Sequence, residues 1–340
     1  MPGAGSTGAP GPARTPQPFG ERLAAAVAAR ESQIVLGIDP DPSRLWRTAG
    51  RAEEARPALA TAFAVAEEAA RAAAGREPPE RATASPRLEA AAAVLAHCLA
   101  LIDAAGPACV AVKPQLACFE RLGFAGWIVL EQVCSHARGC GLLVLADGKR
   151  GDVPVTAAAY AQSFTGTTPS ATGDLPGLGV DALTANPLLG RDALEPLVSS
   201  ARAAGAGVFA LVRTSNPGAA DVLDLRLEGG AALWERLAAL VDELGEGELA
   251  DVGAVTGATA PEHLARMREL MPRAPFLLPG VGAQGGDVAT LAPAFAPGRA
   301  AGLVTASRSI ANAGEASGDA PAAAARAEAE RLRRTAWALA

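Results

Sequence analysis

The hexapeptide DGKRGD at residues 147–152 concentrates more chemistry than any other part of the chain. It follows directly on an apolar run, LLVLA, that reads as a strand. Strand side chains alternate with period two, so Asp147 and Lys149 point the same way, with Asp152 on the turn beyond. Two carboxylates around one ammonium keep it protonated, which suits Lys149 to general-acid work. The competing reading is a solvated turn with a casual ion pair, because short charged patterns containing glycine are common. A second group, PGVGAQGG at 279–286 followed by TASRSI at 305–310, suits an anion. Its glycines let backbone N–H groups come close to phosphate oxygens, Arg308 adds a permanently charged planar fork, and Gln284 adds a bridging amide. Here the competing reading is a tight turn beside an exposed arginine.

Groups so far apart in the chain need a scaffold that gathers them. Eight short apolar segments precede polar residues: QIVLGID, CVAVK, LLVLADG, ALTAN, GVFALVRTS, DVGAVTG, FLLPG and GLVTAS. Each is continuously apolar, as strands buried on both faces are. Segments of helical composition, such as AALWERLAALVDEL, lie between them. Strand–helix alternation repeated eight times predicts a closed parallel (β/α)8 TIM barrel of the α/β class, a single domain over residues 19–340. In such barrels chemistry sits at the C-terminal strand ends. Those ends carry Asp39, Lys113, Asp147 with Lys149, Asn186, then Arg213, Thr214 and Ser215, and finally Pro279 with Gln284, and Ser307 with Arg308.

Composition agrees with this picture. Of 340 residues, 50% are hydrophobic, 19% charged and 4% aromatic, enough for a substantial core built from Ala, Val, Leu and Ile. A net charge of −6 argues against a nucleic-acid binder. No continuous apolar run of the ~20 residues a membrane span needs stands out. Residues 1–18 read as a disordered Pro/Gly tail without the features of a secretory signal or transit peptide, which predicts a cytoplasmic protein. The crossover after the first strand is long, with helix formers at 51–74 and 88–105 around a Pro-rich insert at 75–88. A Gly/Pro/Ser/Thr-rich stretch covers 165–179, and an Ala-rich helix is expected near 320–338. The five cysteines show no Cys-x-x-Cys spacing and read as buried free thiols in a reducing compartment, not as a disulfide or zinc framework. His97, His136 and His263 fall on helical segments away from strand ends and read as surface or packing residues, while Tyr160 and the four tryptophans read as packing.

In order along the chain, GIDPDPSRL, VKPQLACFERLG, LADGKRGDVPVTAAAYA, NPLLG, VRTSNPG, PGVGAQGG and VTASRSI closely resemble the orotidine 5′-phosphate decarboxylases, and NPLLG and VRTSNPG the bacterial subgroup called type 2. The resemblance implies cofactor-free conversion of orotidine 5′-phosphate to UMP and CO2 in pyrimidine biosynthesis. It implies that Asp39 and Lys113 bind ribose hydroxyls, and that Asp147 and Lys149 flank the substrate carboxylate, with Lys149 delivering the proton to C6. Ser215 would read the pyrimidine amide edge, Gln284 and Arg308 would clamp the phosphate, and Pro279 would line the same loop. Asp152 and Thr156 would cross a homodimer interface into the neighbouring site. Asn186 lies in a subgroup-specific segment and is a further substrate-binding candidate. One alternative is a magnesium-dependent sugar-phosphate synthase or decarboxylase of the same suprafamily, but that template has a metal-holding carboxylate where this chain has Lys113. A non-catalytic nucleotide-binding barrel is the other, though it would be expected to lose a member of the set Lys113, Asp147, Lys149 and Asp152.

Overall fold

The computed structural model describes residues 16–47, 86–282 and 284–340, with short stretches between 51 and 65. Most of the expected N-terminal tail and of the 75–88 insert, and much of the helix expected at 51–74, lie outside the described residues.

Eight parallel strands close into a barrel: β1 (Ile34–Ile38), β2 (Ala111–Pro114), β3 (Leu143–Arg150), β4 (Ala182–Ala185), β5 (Gly207–Arg213), β6 (Val252–Thr256), β7 (Phe276–Leu278) and β8 (Gly302–Ala306). Each pairs with its neighbours in the chain, and β8 closes on β1 through Ile34 opposite Val304. Every residue of β1, β6 and β8 is buried, as the continuously apolar segments require. The longer helices are α1 (Phe19–Arg30), α2 (Pro86–Ala105), α3 (Phe124–Gly139), α4 (Pro154–Phe164), α5 (Arg191–Ala203), α6 (Leu233–Leu244), α7 (Leu264–Leu270) and α8 (Pro321–Trp337). Within the irregular 165–179 stretch, Thr167–Thr168 pairs antiparallel with Leu175–Pro176.

The core has two parts. The larger lies between strands and helices; the smaller fills the barrel interior with Val35, Leu145, Phe209, Val255, Leu277 and Leu303. Helix α1 closes the N-terminal end of that interior. Its Phe19 meets Phe209 edge-on, with ring centroids 6.0 Å apart. Two strand glycines make room: a Cβ on Gly207 would sit 2.4 Å from the Phe19 ring, and one on Gly253 would sit 2.7 Å from the Phe209 ring. Burying each phenylalanine contributes ~1.5–3 kcal/mol, and Arg22 ties the helix down by pairing with Asp181 and donating to the Gly205 carbonyl at 2.8 Å.

A buried arginine organises the other side of the barrel. Arg268 on α7 donates to the carbonyls of Met271, Ala274, Ala294 and Ala301 at 2.7–3.1 Å, and its guanidinium lies 3.8 Å from the Phe276 ring centroid. Burial pulls its pKa down to about 10, yet it stays charged at neutral pH. It thereby ties together the segments that enter β7 and β8, the strands whose outgoing loops carry Gln284 and Arg308.

Two expectations need correcting. The segment Pro86–Ala108, α2 with the turn after it, is long and apolar enough to cross a membrane by length and composition. Its apolarity has another explanation: α2 packs on the barrel, with Val94, Leu95, Leu101 and Ile102 in the core. Among the thiols, Cys98, Cys109 and Cys134 are buried as expected, but Cys118 is only partly buried and Cys140 is exposed.

Candidate active site

A cavity of about 370 Å³ opens at the C-terminal strand ends, and all eight strands or the loops after them contribute to its wall. At its base Asp147 accepts from the ammonium groups on both sides, Lys113 Nζ at 2.5 Å and Lys149 Nζ at 2.6 Å. Gln115 Nε2 (3.3 Å) and Thr184 Oγ1 (2.9 Å) complete the donors around this carboxylate. Burial on its own would push the Asp147 carboxyl up, but the two lysine charges and their hydrogen bonds outweigh it and hold the group at about 2. Burial likewise opposes the charge on Lys113, and Asp147 and Asp39 together raise its pKa above the ordinary lysine value. Asp147 is therefore a fixed anion at neutral pH. Only Lys149 among the three is well exposed, at 42% of its side chain against 7% for each of the others.

The local backbone explains this arrangement. Pairing between β3 and β4 runs regularly to Ala146 opposite Leu183, then resumes at Arg150 opposite Ala185, so β3 bulges in between. Lys149 sits in the bulge with a left-handed φ of +49°, unusual for a residue with a side chain. Its N–H donates to Thr184 Oγ1 at 2.9 Å, and that hydroxyl donates in turn to Asp147 Oδ1. Thr184, buried on β4, thus fixes both the strained backbone of Lys149 and the carboxylate facing it. Gly148 between them leaves room for Leu116, since a Cβ there would lie 2.6 Å from Leu116 Cδ1 and the leucine would have to shift. Arg150 turns out of the cavity, paired with Glu120 and lying 5.5 Å from the centre of the Tyr160 ring.

On the opposite wall, Ser215 Oγ donates to Gln284 Oε1 at 2.8 Å, joining the loops after β5 and β7. The turn between Pro279 and Gln284 needs Gly280, whose φ is +103°. Pro279, Gln284 and Arg308 line one part of the cavity, and Asp39 lines another. Asp39 accepts from Ser307 Oγ at 2.6 Å, and Gly37 leaves room for that serine, since a Cβ on Gly37 would fall 1.9 Å from Ser307 Oγ.

Lys113, Asp147, Lys149, Asp39, Ser215, Pro279, Gln284 and Arg308 therefore meet around one cavity. Asp152, Thr156 and Asn186 do not line it. Asp152 Oδ1 accepts from the N–H of Val153 at 2.7 Å, Thr156 is exposed in the first turn of α4, and Asn186 Oδ1 accepts from the N–H of Leu188 at 3.1 Å. Around these three the surface is apolar: Val153, Val155, Leu188 and Leu189 are exposed, Val155 by 85%. Thr184 and Gln115 were not anticipated. A threonine in a strand reads as an ordinary β-former, and nothing around Thr184 in the sequence marks it out.

A family model described as orotidine 5′-phosphate decarboxylase / HUMPS family matches residues 86–326. An orotidine 5′-phosphate decarboxylase of Deinococcus radiodurans is 48% identical over 215 residues, 62% of this chain and 75% of that protein. One from Haloarcula marismortui is 38% identical over 298 residues, 87% of this chain and 88% of its own length. Among solved structures, Leishmania donovani OMP decarboxylase superposes with a TM-score of 0.64 at 27% identity, covering 94% of this chain and 99% of the other.

Proposed function

The chain belongs to the orotidine 5′-phosphate decarboxylase family, and on that footing we propose which of its residues carry the reaction. The enzyme is a carbon–carbon lyase of pyrimidine biosynthesis that converts orotidine 5′-phosphate to UMP and CO2. The observation that carries the residue assignment is Asp147, held ionised between two ammonium groups at the base of the strand-end cavity.

The substrate lies with its phosphate at Arg308 and Gln284 and its pyrimidine edge toward Ser215. Asp39 and Lys113 hold the ribose hydroxyls. That pose sets the C6 carboxylate against Asp147. Two unit charges ~4 Å apart repel by ~4 kcal/mol at an effective dielectric near 20. The C6–carboxyl bond breaks with its electron pair left on C6, and the repulsion vanishes as neutral CO2 departs. Lys149, the exposed member of the set, stabilises the carbanion and gives its proton to C6. Product release and reprotonation from solvent restore the ammonium. Binding of the phosphate, remote from the reacting carbon, orients the ring. The donor set around Asp147 is cationic and would repel a divalent metal, which disfavours the magnesium-dependent reading. The single observation that tests the reading is the fall in orotidine 5′-phosphate absorbance with purified protein. Turnover should be unchanged by excess EDTA; loss with EDTA and recovery with Mg2+ would reverse the metal-free assignment.

We assign the apolar surface around Val153, Val155, Leu188 and Leu189 to a homodimer interface in a cytoplasmic enzyme of one barrel domain, residues 19–340 with a tail before it. Asp152 and Thr156 lie within that surface and outside their own cavity, a placement that supports their reaching the partner's site. Asn186 acts there by shaping the turn that carries Leu188 and Leu189. A separate result is expected of Arg308→Ala. KM for orotidine 5′-phosphate should rise by at least tenfold, while orotidine without its phosphate should react equally poorly with both proteins. An unchanged KM would remove Arg308 from the phosphate site.

A further inference from the structure

We propose that Asp103, His136 and Cys140 form a surface site for a zinc-like divalent cation at the end of the barrel away from its mouth. Asp103 lies in the last turn of α2, His136 in the last turn of α3, and Cys140 immediately after α3, one helical turn beyond His136. Residues four apart on a helix project on one face, so the imidazole and thiol stand one above the other and both meet the carboxylate from α2. Helices α2 and α3 lead into β2 and β3, so the cluster sits beside the strand starts, opposite the catalytic ends.

The three side chains converge on a point. His136 Nε2 lies 2.7 Å from Asp103 Oδ1 and 3.8 Å from Cys140 Sγ, and the three donor atoms fall within 4.8 Å of one another. A tetrahedral zinc with bonds of ~2.0–2.3 Å spaces its donors about 3.3–3.8 Å apart, so shifts of about an ångström at side-chain tips seat the ion. The exposure of Asp103 and Cys140, and the partial exposure of His136, leave them free to make those shifts and leave a fourth position for water. The arrangement is not a nucleophile relay. In a relay the thiol and carboxylate occupy opposite ring nitrogens, whereas here both face Nε2.

Surrounding groups already orient two of the three ligands. Arg51 Nη1 binds the other oxygen, Asp103 Oδ2, at 2.8 Å, leaving Oδ1 to the ion and supplying the outer partner that ligating carboxylates commonly have. Arg30 of α1 donates to the Cys140 carbonyl at 2.6 Å and so fixes the backbone that carries the thiol. Thiolate, imidazole and carboxylate together select zinc or cobalt over magnesium and calcium. On binding, the Cys140 thiol releases its proton to solvent and the imidazole binds neutral, so affinity rises with pH. The bound ion clasps α2 to α3.

The test uses the full chain, stripped of metal and titrated with Co2+ and then Zn2+. One equivalent of Co2+ should produce a thiolate-to-cobalt absorption band that Zn2+ displaces, and Zn2+ should raise the Tm. Cys140→Ser should abolish the band, and His136→Gln should weaken binding by at least tenfold. Cys118→Ser should keep the band, which separates this site from the partly buried thiol near the catalytic cavity. Decarboxylation should be the same with and without metal, because the cluster lies at the opposite end from the reacting groups. A wild-type chain that gives no band, or a band that survives Cys140→Ser, overturns the proposal. Neither result bears on the catalytic assignment.

Discussion

Lys149→Ala should fold normally and turn over orotidine 5′-phosphate with kcat reduced by about a thousandfold or more. The substitution removes the proton donor, and general-acid groups typically contribute ~10²–10⁴-fold. It also removes the cation facing the developing carbanion, a type of interaction whose loss costs ~10²–10³-fold. The two losses come from one ammonium and do not simply multiply. Folding should survive because Lys149 is the exposed member of the set and Asp147 keeps Lys113, Gln115 and Thr184. The substitution also replaces one side-chain residue by another at a left-handed φ, so that strain is unchanged. The absorbance assay and a thermal melt measure the two quantities. A variant that melts like the wild type and keeps more than about a tenth of its kcat would show that C6 takes its proton from elsewhere.

Mixing Lys149→Ala with Asp152→Ala, each nearly inactive alone, should restore up to roughly a quarter of wild-type activity per subunit. Random exchange makes half the dimers mixed. In each mixed dimer one cavity has lost Lys149 and also receives the substituted Asp152, while the other keeps its own Lys149 and receives an intact Asp152. The expectation rests on two placements: Asp152 is absent from the cavity of its own chain, and it adjoins exposed Val153 and Val155 at the start of α4. If subunit exchange is confirmed by an independent label and no activity returns, Asp152 acts within its own chain and the shared-site assignment is wrong.

The eight strands were legible because a strand buried on both faces must be continuously apolar, and each such run here is short and ends in polar residues. The charged triad was legible too, but through simpler geometry than the molecule uses. Period-two alternation places Asp147 and Lys149 on one side; in fact a bulge and a left-handed Lys149 bring them together, with Thr184 filling the broken ladder. Nothing in the 147–152 segment announces that bulge, because its support comes from the neighbouring strand. The Asp103–His136–Cys140 cluster escaped for a similar reason. Its carboxylate is contributed 33 residues before the histidine, and only helix packing makes the two neighbours. The exposure of Cys140 depends likewise on where α3 ends.

The seating of Phe19 against Phe209 has a consequence for product traffic. With α1 stoppering one end of the barrel axis, the vessel is open at one end only among the described residues. The gas produced at C6 has no rear vent and leaves through the opening by which the substrate came in. Had the floor been open, a departing CO2 could have left behind the ring without crossing the charged rim. The closed floor thus leaves both products, among the described residues, one shared way out at the strand ends.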